Sequence, residues 1–156
     1  MTTLTTTPAK APLTGYVRPL KLSLLFSILG EAVILVIWGF YLFPEGNWFN
    51  KIMWTLVYCG MGMGGAFGAV VVLGLLGRVD GLRAVVLTAA LSTVMLGLFC
   101  NYLCLRLDMT FGYFGAQGAG VLFMVNGIAM SAIGGALLGW LVFTERGRAF
   151  GPAWLK

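Results

Sequence analysis

Apolar residues fill this chain in four long blocks, Leu22–Phe43, Ile52–Leu76, Ala84–Leu105 and Ala119–Phe143, with short polar or glycine-bearing breaks between them. A helix rises about 1.5 Å per residue, so about 20 residues are enough to cross a bilayer core, and every block reaches that length. The pattern predicts an all-α membrane protein: four transmembrane helices in an up-down bundle of two helical hairpins. Residues 1–21 are then a polar N-terminal tail, 22–143 the transmembrane domain and 144–156 a short basic C-terminal tail.

The breaks support this division. Pro19 suits the opening turn of the first helix, and Phe43-Pro44 ends it. The turn Gly77-Arg78-Val79-Asp80-Gly81 is short and flanked by glycine, which makes the second and third helices antiparallel neighbours. The connection Arg106–Gly118 carries Phe111, Tyr113 and Phe114 and is expected to lie in the membrane interface. Trp38, Tyr41, Trp48 and Trp54 would form an outer aromatic belt, and Tyr16, Trp140 and Trp154 an inner one.

Charge adds an orientation. Lys10, Arg18, Lys21, Arg78, Arg83, Arg146, Arg148 and Lys156 fall on one side of the predicted membrane, and only Lys51 and Arg106 on the other. The positive-inside rule therefore puts both termini in the cytoplasm, in a bacterial inner or intracytoplasmic membrane. The net charge of +5 is accounted for by topology, with a weak attraction for anionic lipid, and implies no nucleic acid. Met1–Thr14 lacks the apolar core of a secretory signal, so the first helix is expected to act as an uncleaved signal-anchor.

Small residues supply the next layer. Gly60, Gly64 and Gly68 recur every four residues in the second helix, and Gly127, Ser131, Gly135 and Gly139 do so in the fourth. Such spacing stacks small side chains on one face, where another backbone can approach closely. The stripes are expected to hold the four helices of the chain together; the alternative is that at least one of them faces a different polypeptide, a lipid or a flat pigment. A shift that lays Gly64-Gly65-Ala66 on Gly134-Gly135-Ala136 also lays Gly77-Arg78 on Gly147-Arg148 and Glu31 on Asn101, the mark of a parallel repeat.

Polar groups inside the blocks are few. Glu31 sits deep in the first, with Ser23 and Ser27 on the same face. A carboxylate there is costly, so a neutral carboxyl bonded to a neighbouring helix is the expectation, and a proton- or cation-coupling site is the alternative. Asn101 and Asn126 are expected to pair across the third and fourth helices, at the level of Tyr58 and Cys59, with Arg106 and Asp108 capping that layer.

Histidine is absent, and Cys59, Cys100 and Cys104 have no metal spacing. Met61, Met63 and the other methionines read as packing residues. No nucleophile–base pair, phosphate loop or carboxylate pair is present, so no catalytic residue, metal or required cofactor is expected, although a bound lipid, quinone or pigment is compatible with the composition. Small multidrug resistance transporters also carry a glutamate in the first of four helices, and Leu29-Gly30-Glu31-Ala32-Val33 resembles them in that placement alone. Four-helix small subunits of tripartite carboxylate transporters are similar in size and helix count. Neither likeness assigns a family.

The functional expectation is a non-catalytic membrane subunit packed against other subunits of a larger bacterial complex, energy-converting or oxygenase in type, with no soluble substrate. A small homo-oligomeric transporter or channel using Glu31 is the first alternative, and a membrane-complex assembly factor the second.

Overall fold

The computed structural model describes residues 13–42, 44, 47–77, 79–98, 102, 106 and 119–155. The predicted Asn101–Asn126 pair and the Asp108 cap lie outside the described residues, as do the side chains of Trp38, Trp54 and Tyr58 and the thiols of Cys100 and Cys104. Every element among the described residues is helical. A 3-10 turn at Leu13–Tyr16 leads into α1 (Val17–Val36), which widens into a π-helical segment at Ile37–Leu42. Next come α2 (Trp48–Leu76), α3 (Gly81–Ser92) with a second π-helical segment at Thr93–Leu98, α4 (Ala119–Phe143), a short α5 (Glu145–Ala149) and a 3-10 turn at Ala153–Leu155. Two helical stretches, Val17–Tyr41 and Cys59–Leu76, are long and apolar enough to cross a membrane; Gly81–Met95 and Gly127–Phe143 are apolar but shorter.

Local chemistry sets the boundaries. Asn47 caps α2 by accepting from the Phe49 N–H at 2.8 Å, and Gly77 ends it in the left-handed conformation at φ 67°. Lys51 donates to the Gly39 and Pro44 carbonyls, tying the start of α2 to the end of α1, and its ammonium lies 4.7 Å from the Trp48 ring centre. The helix α1 begins ahead of the apolar block. Pro19 tolerates the first turn because the N–H groups there need no helical partner. Arg18 and Lys21, expected in a tail, are therefore helical.

The helix α4 packs against both α2 and α3, while α1 leans mainly on α2. Tyr16 lies against Gly74 and Gly39 against Trp48, so α1 and α2 run antiparallel. Gly135 beside Ala89 and Gly139 beside Val85 give α3 and α4 the same relation. The densest core gathers where α1 begins and α2 and α4 end, around Leu22, Val70, Leu73, Ala84, Leu138 and Leu141.

Residues 144–155 are not a loose basic tail. Thr144 caps α5 by accepting from the Gly147 N–H at 3.0 Å. Gly147 leaves no room for a Cβ beside the Trp140 carbonyl, and Leu155 is buried in the core. Arg18 donates to the carbonyls of Leu141, Gly147 and Phe150, and Lys21 donates to that of Trp154. The start of α1 thus grips backbone oxygens at the end of α4 and in the segment that follows, of which the Gly147 oxygen also accepts locally from the Phe150 N–H.

Candidate functional site

Two constellations stand out: the surfaces built from small residues, and a polar cluster around Glu31.

In α4 the predicted stripe is an internal interface. Gly127, Ser131, Gly135 and Gly139 are all buried. A Cβ on Gly135 would stand 2.8 Å from Ala89 Cα and 2.9 Å from the Thr88 carbonyl oxygen, and one on Gly139 would stand 2.9 Å from Thr88 Cβ and 3.2 Å from Val85 Cα. Half of the atoms nearest these two positions are backbone and the others lie at the base of the Thr88 and Ser92 side chains, so the approach of α3 depends on the missing side chains. Ser92 and Thr88 complete the contact from α3; Thr88 returns its hydroxyl to the Ala84 carbonyl at 2.7 Å.

The α2 stripe behaves in the opposite way. Among the described residues, a Cβ on Gly60, Gly64 or Gly68 would meet no atom within 4 Å; Gly60 and Gly64 are exposed and Gly68 is half-buried. Successive helical residues are about 100° apart, which puts Gly64 opposite Thr55, Gly62 and Leu73, the side turned to the rest of the chain. The contact between α2 and α4 uses other glycines. A Cβ on Gly62 would lie 3.4 Å from the Met130 carbonyl carbon, and one on Gly134 would lie 2.9 Å from Met63 Sδ. The signal for that face was the buried run Cys59, Gly62, Met63, Ala66, Val70 and Leu73, whose mixed three- and four-residue spacing is less regular than the glycine stripe.

Glu31 is half-buried and points at α2. Its Oε1 lies 2.6 Å from Thr55 Oγ1, while Oε2 is buried and meets no hydrogen-bond partner of ordinary geometry among the described residues. Thr55 Oγ1 is also 2.8 Å from the Lys51 carbonyl oxygen. A hydroxyl carries one proton, so Thr55 can donate to only one of these oxygens. Donated to Glu31 Oε1, that proton joins α2 to α1; donated to the Lys51 carbonyl, it stays within α2. The buried Cys59 thiol lies beside the same carboxyl, and a Cβ on Gly30 would come within 3.5 Å of its sulfur. Thr55 escaped sequence reasoning because a single hydroxyl in an apolar helix normally bonds its own backbone.

The expected Ser23–Ser27–Glu31 stripe is not a connected network. Ser23 donates to the Leu20 carbonyl in its own helix at 2.8 Å, and Ser27 is half-buried. Cys59, placed by the sequence in a layer with Asn101 and Asn126, belongs to the Glu31 cluster. Tyr16, expected in an inner aromatic belt, is tucked against α2 instead. Trp140 and Trp154 are exposed, as are Tyr41 and Trp48 at the other end. No group of three or more cysteine or acidic side chains positioned for a metal occurs among the described residues. No family model, curated protein or solved structure matches the chain.

Proposed function

We propose that this chain is a four-span membrane protein with both termini on the cytoplasmic side of a bacterial inner membrane, serving as a non-catalytic subunit of a larger membrane complex of energy-converting or oxygenase type. The observation that carries the reading is the Gly60–Gly64–Gly68 stripe on the face of α2 turned away from its own chain. Lipid is as apolar as leucine, so membrane helices recognise one another through close backbone approach. Glycine in a helix costs about 1 kcal/mol relative to alanine. Three of them on an open face bring no benefit within the chain and suit a helix from another subunit. The exposed flank of α1, with Leu20, Leu24 and Ile28, extends the apolar surface available for such packing.

Gentle detergent extraction followed by native mass spectrometry tests the reading. Foreign subunits at fixed stoichiometry are expected. A bare homodimer would overturn it, and substoichiometric capture that vanishes from the finished complex would make the chain an assembly factor. Cysteine labelling should find positions 10, 80 and 156 inside and 47 and 115 outside; termini on opposite faces would remove the four-span plan.

The buried Oε2 of Glu31, with no partner of ordinary geometry among the described residues, favours a second reading, a proton- or cation-coupled transporter. Glu31→Gln separates the two. As a structural acid Glu31 can be replaced by an amide that still hydrogen-bonds Thr55, so assembly and activity should survive, while Glu31→Ala should be worse because Thr55 loses its partner on α1. Abolished transport in a folded, reconstituted Glu31→Gln protein would establish the transporter reading.

A further inference from the structure

A cavity of about 280 Å³ lies where α1 begins, between the ends of α2 and α4 and the turn that leads into α3. Its walls are the surface of the core itself: Val70, Leu73 and Phe143, with Pro19 across from them. Two features of it are unexplained by folding. The Tyr16 hydroxyl is buried on this wall with no hydrogen-bond partner among the described residues. It reaches that position only because residue 74 is glycine, where a Cβ would stand 3.0 Å from the phenol oxygen. A buried hydroxyl without a partner costs about 1–3 kcal/mol. At the mouth, Arg148 Nη1 stands 3.8 Å from Asp80 Oδ1, too far for a hydrogen bond, and both side chains remain largely exposed. Asp80 occupies the N-cap position of α3, yet its side chain makes no capping bond. A cation and an anion are thus held side by side at the rim of an apolar cavity with an unused hydroxyl inside.

We infer that this cavity holds the headgroup of one zwitterionic phospholipid of the phosphoethanolamine type. The phosphate is placed on the Arg148 guanidinium, the ammonium on the Asp80 carboxylate, and a glycerol ester carbonyl accepts from Tyr16. The paired signs at the mouth select this class. A purely anionic headgroup would bring its phosphate against Asp80 with nothing of its own to offset the repulsion. The volume sits just below the range of about 300–1,000 Å³ typical of ligand pockets, enough for a headgroup and glycerol but not for acyl chains, which must run out along the apolar walls. The inference rests on the membrane-spanning reading above, which sets the cavity at headgroup depth.

The test uses the full chain in mild detergent, titrated with dioleoyl phosphatidylethanolamine or dioleoyl phosphatidylglycerol and read by native mass spectrometry. One phosphatidylethanolamine should be retained, in preference to phosphatidylglycerol by roughly tenfold, equivalent to about 1.4 kcal/mol. Asp80→Asn should erase the preference, Arg148→Gln should weaken both lipids, and Tyr16→Phe should weaken phosphatidylethanolamine severalfold while leaving the preference in place. Asp80 and Arg148 are exposed, so their variants should elute and unfold as the parent does. Equal binding of the two lipids by the parent, or an Asp80→Asn variant with the preference intact, would overturn the proposal. Displacement of the lipid by equimolar soluble glycerophosphoethanolamine would overturn the lipid as the source of the headgroup. Alkaline carbonate extraction keeps the two failures apart: a released chain sinks the membrane reading and this one with it, whereas an integral chain without lipid preference sinks this one alone.

Discussion

The two glycine stripes share a spacing and little else. In α4 the small residues are buried against α3, with Ala89 Cα and Val85 Cα so near that a single methyl group would collide. In α2 a side chain added at the glycines would meet nothing among the described residues. The shift that matches the two halves in sequence makes the same point, since it lays open Gly64 on packed Gly134. Spacing specifies a face on which a backbone can approach; which backbone approaches is decided by the neighbours. The α4 stripe serves the fold, and the α2 stripe lies open among the described residues.

The sharpest way to break this contrast is to place the same bulky side chain on both stripes. Gly135→Leu should be the most damaging substitution. Overpacking typically costs about 1–3 kcal/mol, and here the obstructing atoms include backbone, so the cost should reach the top of that range or pass it. Loss of the monodisperse, folded protein in size-exclusion chromatography and thermal scans is expected; normal melting would mean that α3 does not depend on the stripe. Gly64→Leu should leave the isolated chain within about 0.5 kcal/mol of the parent, as surface changes usually do. Co-purification with partner subunits should nevertheless fall at least tenfold. If stability fell and retention did not, the roles of the two stripes would be reversed.

Smaller effects sharpen the picture. Thr55→Val removes the hydroxyl that joins α2 to Glu31, and interhelical bonds of this kind contribute about 0.6–2 kcal/mol. Unfolding titrations in detergent should show a loss within that window, and Glu31→Gln should lose less. The smallest change is expected from Gly68→Ala, which adds a methyl group where no atom of the described residues lies within 4 Å and improves helix propensity by up to about 1 kcal/mol. A clear destabilisation of the isolated chain by Gly68→Ala would place a neighbour on this face and remove the contrast.

Much of the helical plan was legible because block length and apolar composition are local properties. The fourth block and α4 share the bounds Ala119–Phe143, and the end of the second block at Leu76 coincides with that of α2. The start of α1 was less legible. Its first turn is secured by distant carbonyls that accept from Arg18 and Lys21, and nothing near those residues announces such partners. The same long range hid the folding-back of residues 144–155. At the polar cluster, Glu31 was conspicuous as an acid among apolar residues, whereas Thr55 looked like any other hydroxyl until α1 and α2 were seen in register. Tyr16 was read by composition as a belt residue, and only the proximity of Gly74 reveals its different place.

The grip of Arg18 on the Leu141, Gly147 and Phe150 carbonyls also has a consequence for biosynthesis. Its two halves are separated by more than 120 positions along the chain, so α1 leaves the ribosome long before the oxygens it will hold exist. Until then α1 has only α2 to lean on, and a guanidinium at its base has no structural partner from the far segment. Closure of this end of the bundle is therefore a late, non-local event, of the kind that slows folding because loop entropy is lost before the contacts form. A chain arrested ahead of Leu141 would carry α1, α2 and α3 already synthesised but still unlatched, and it is in that interval that its apolar flanks are most open to other helices.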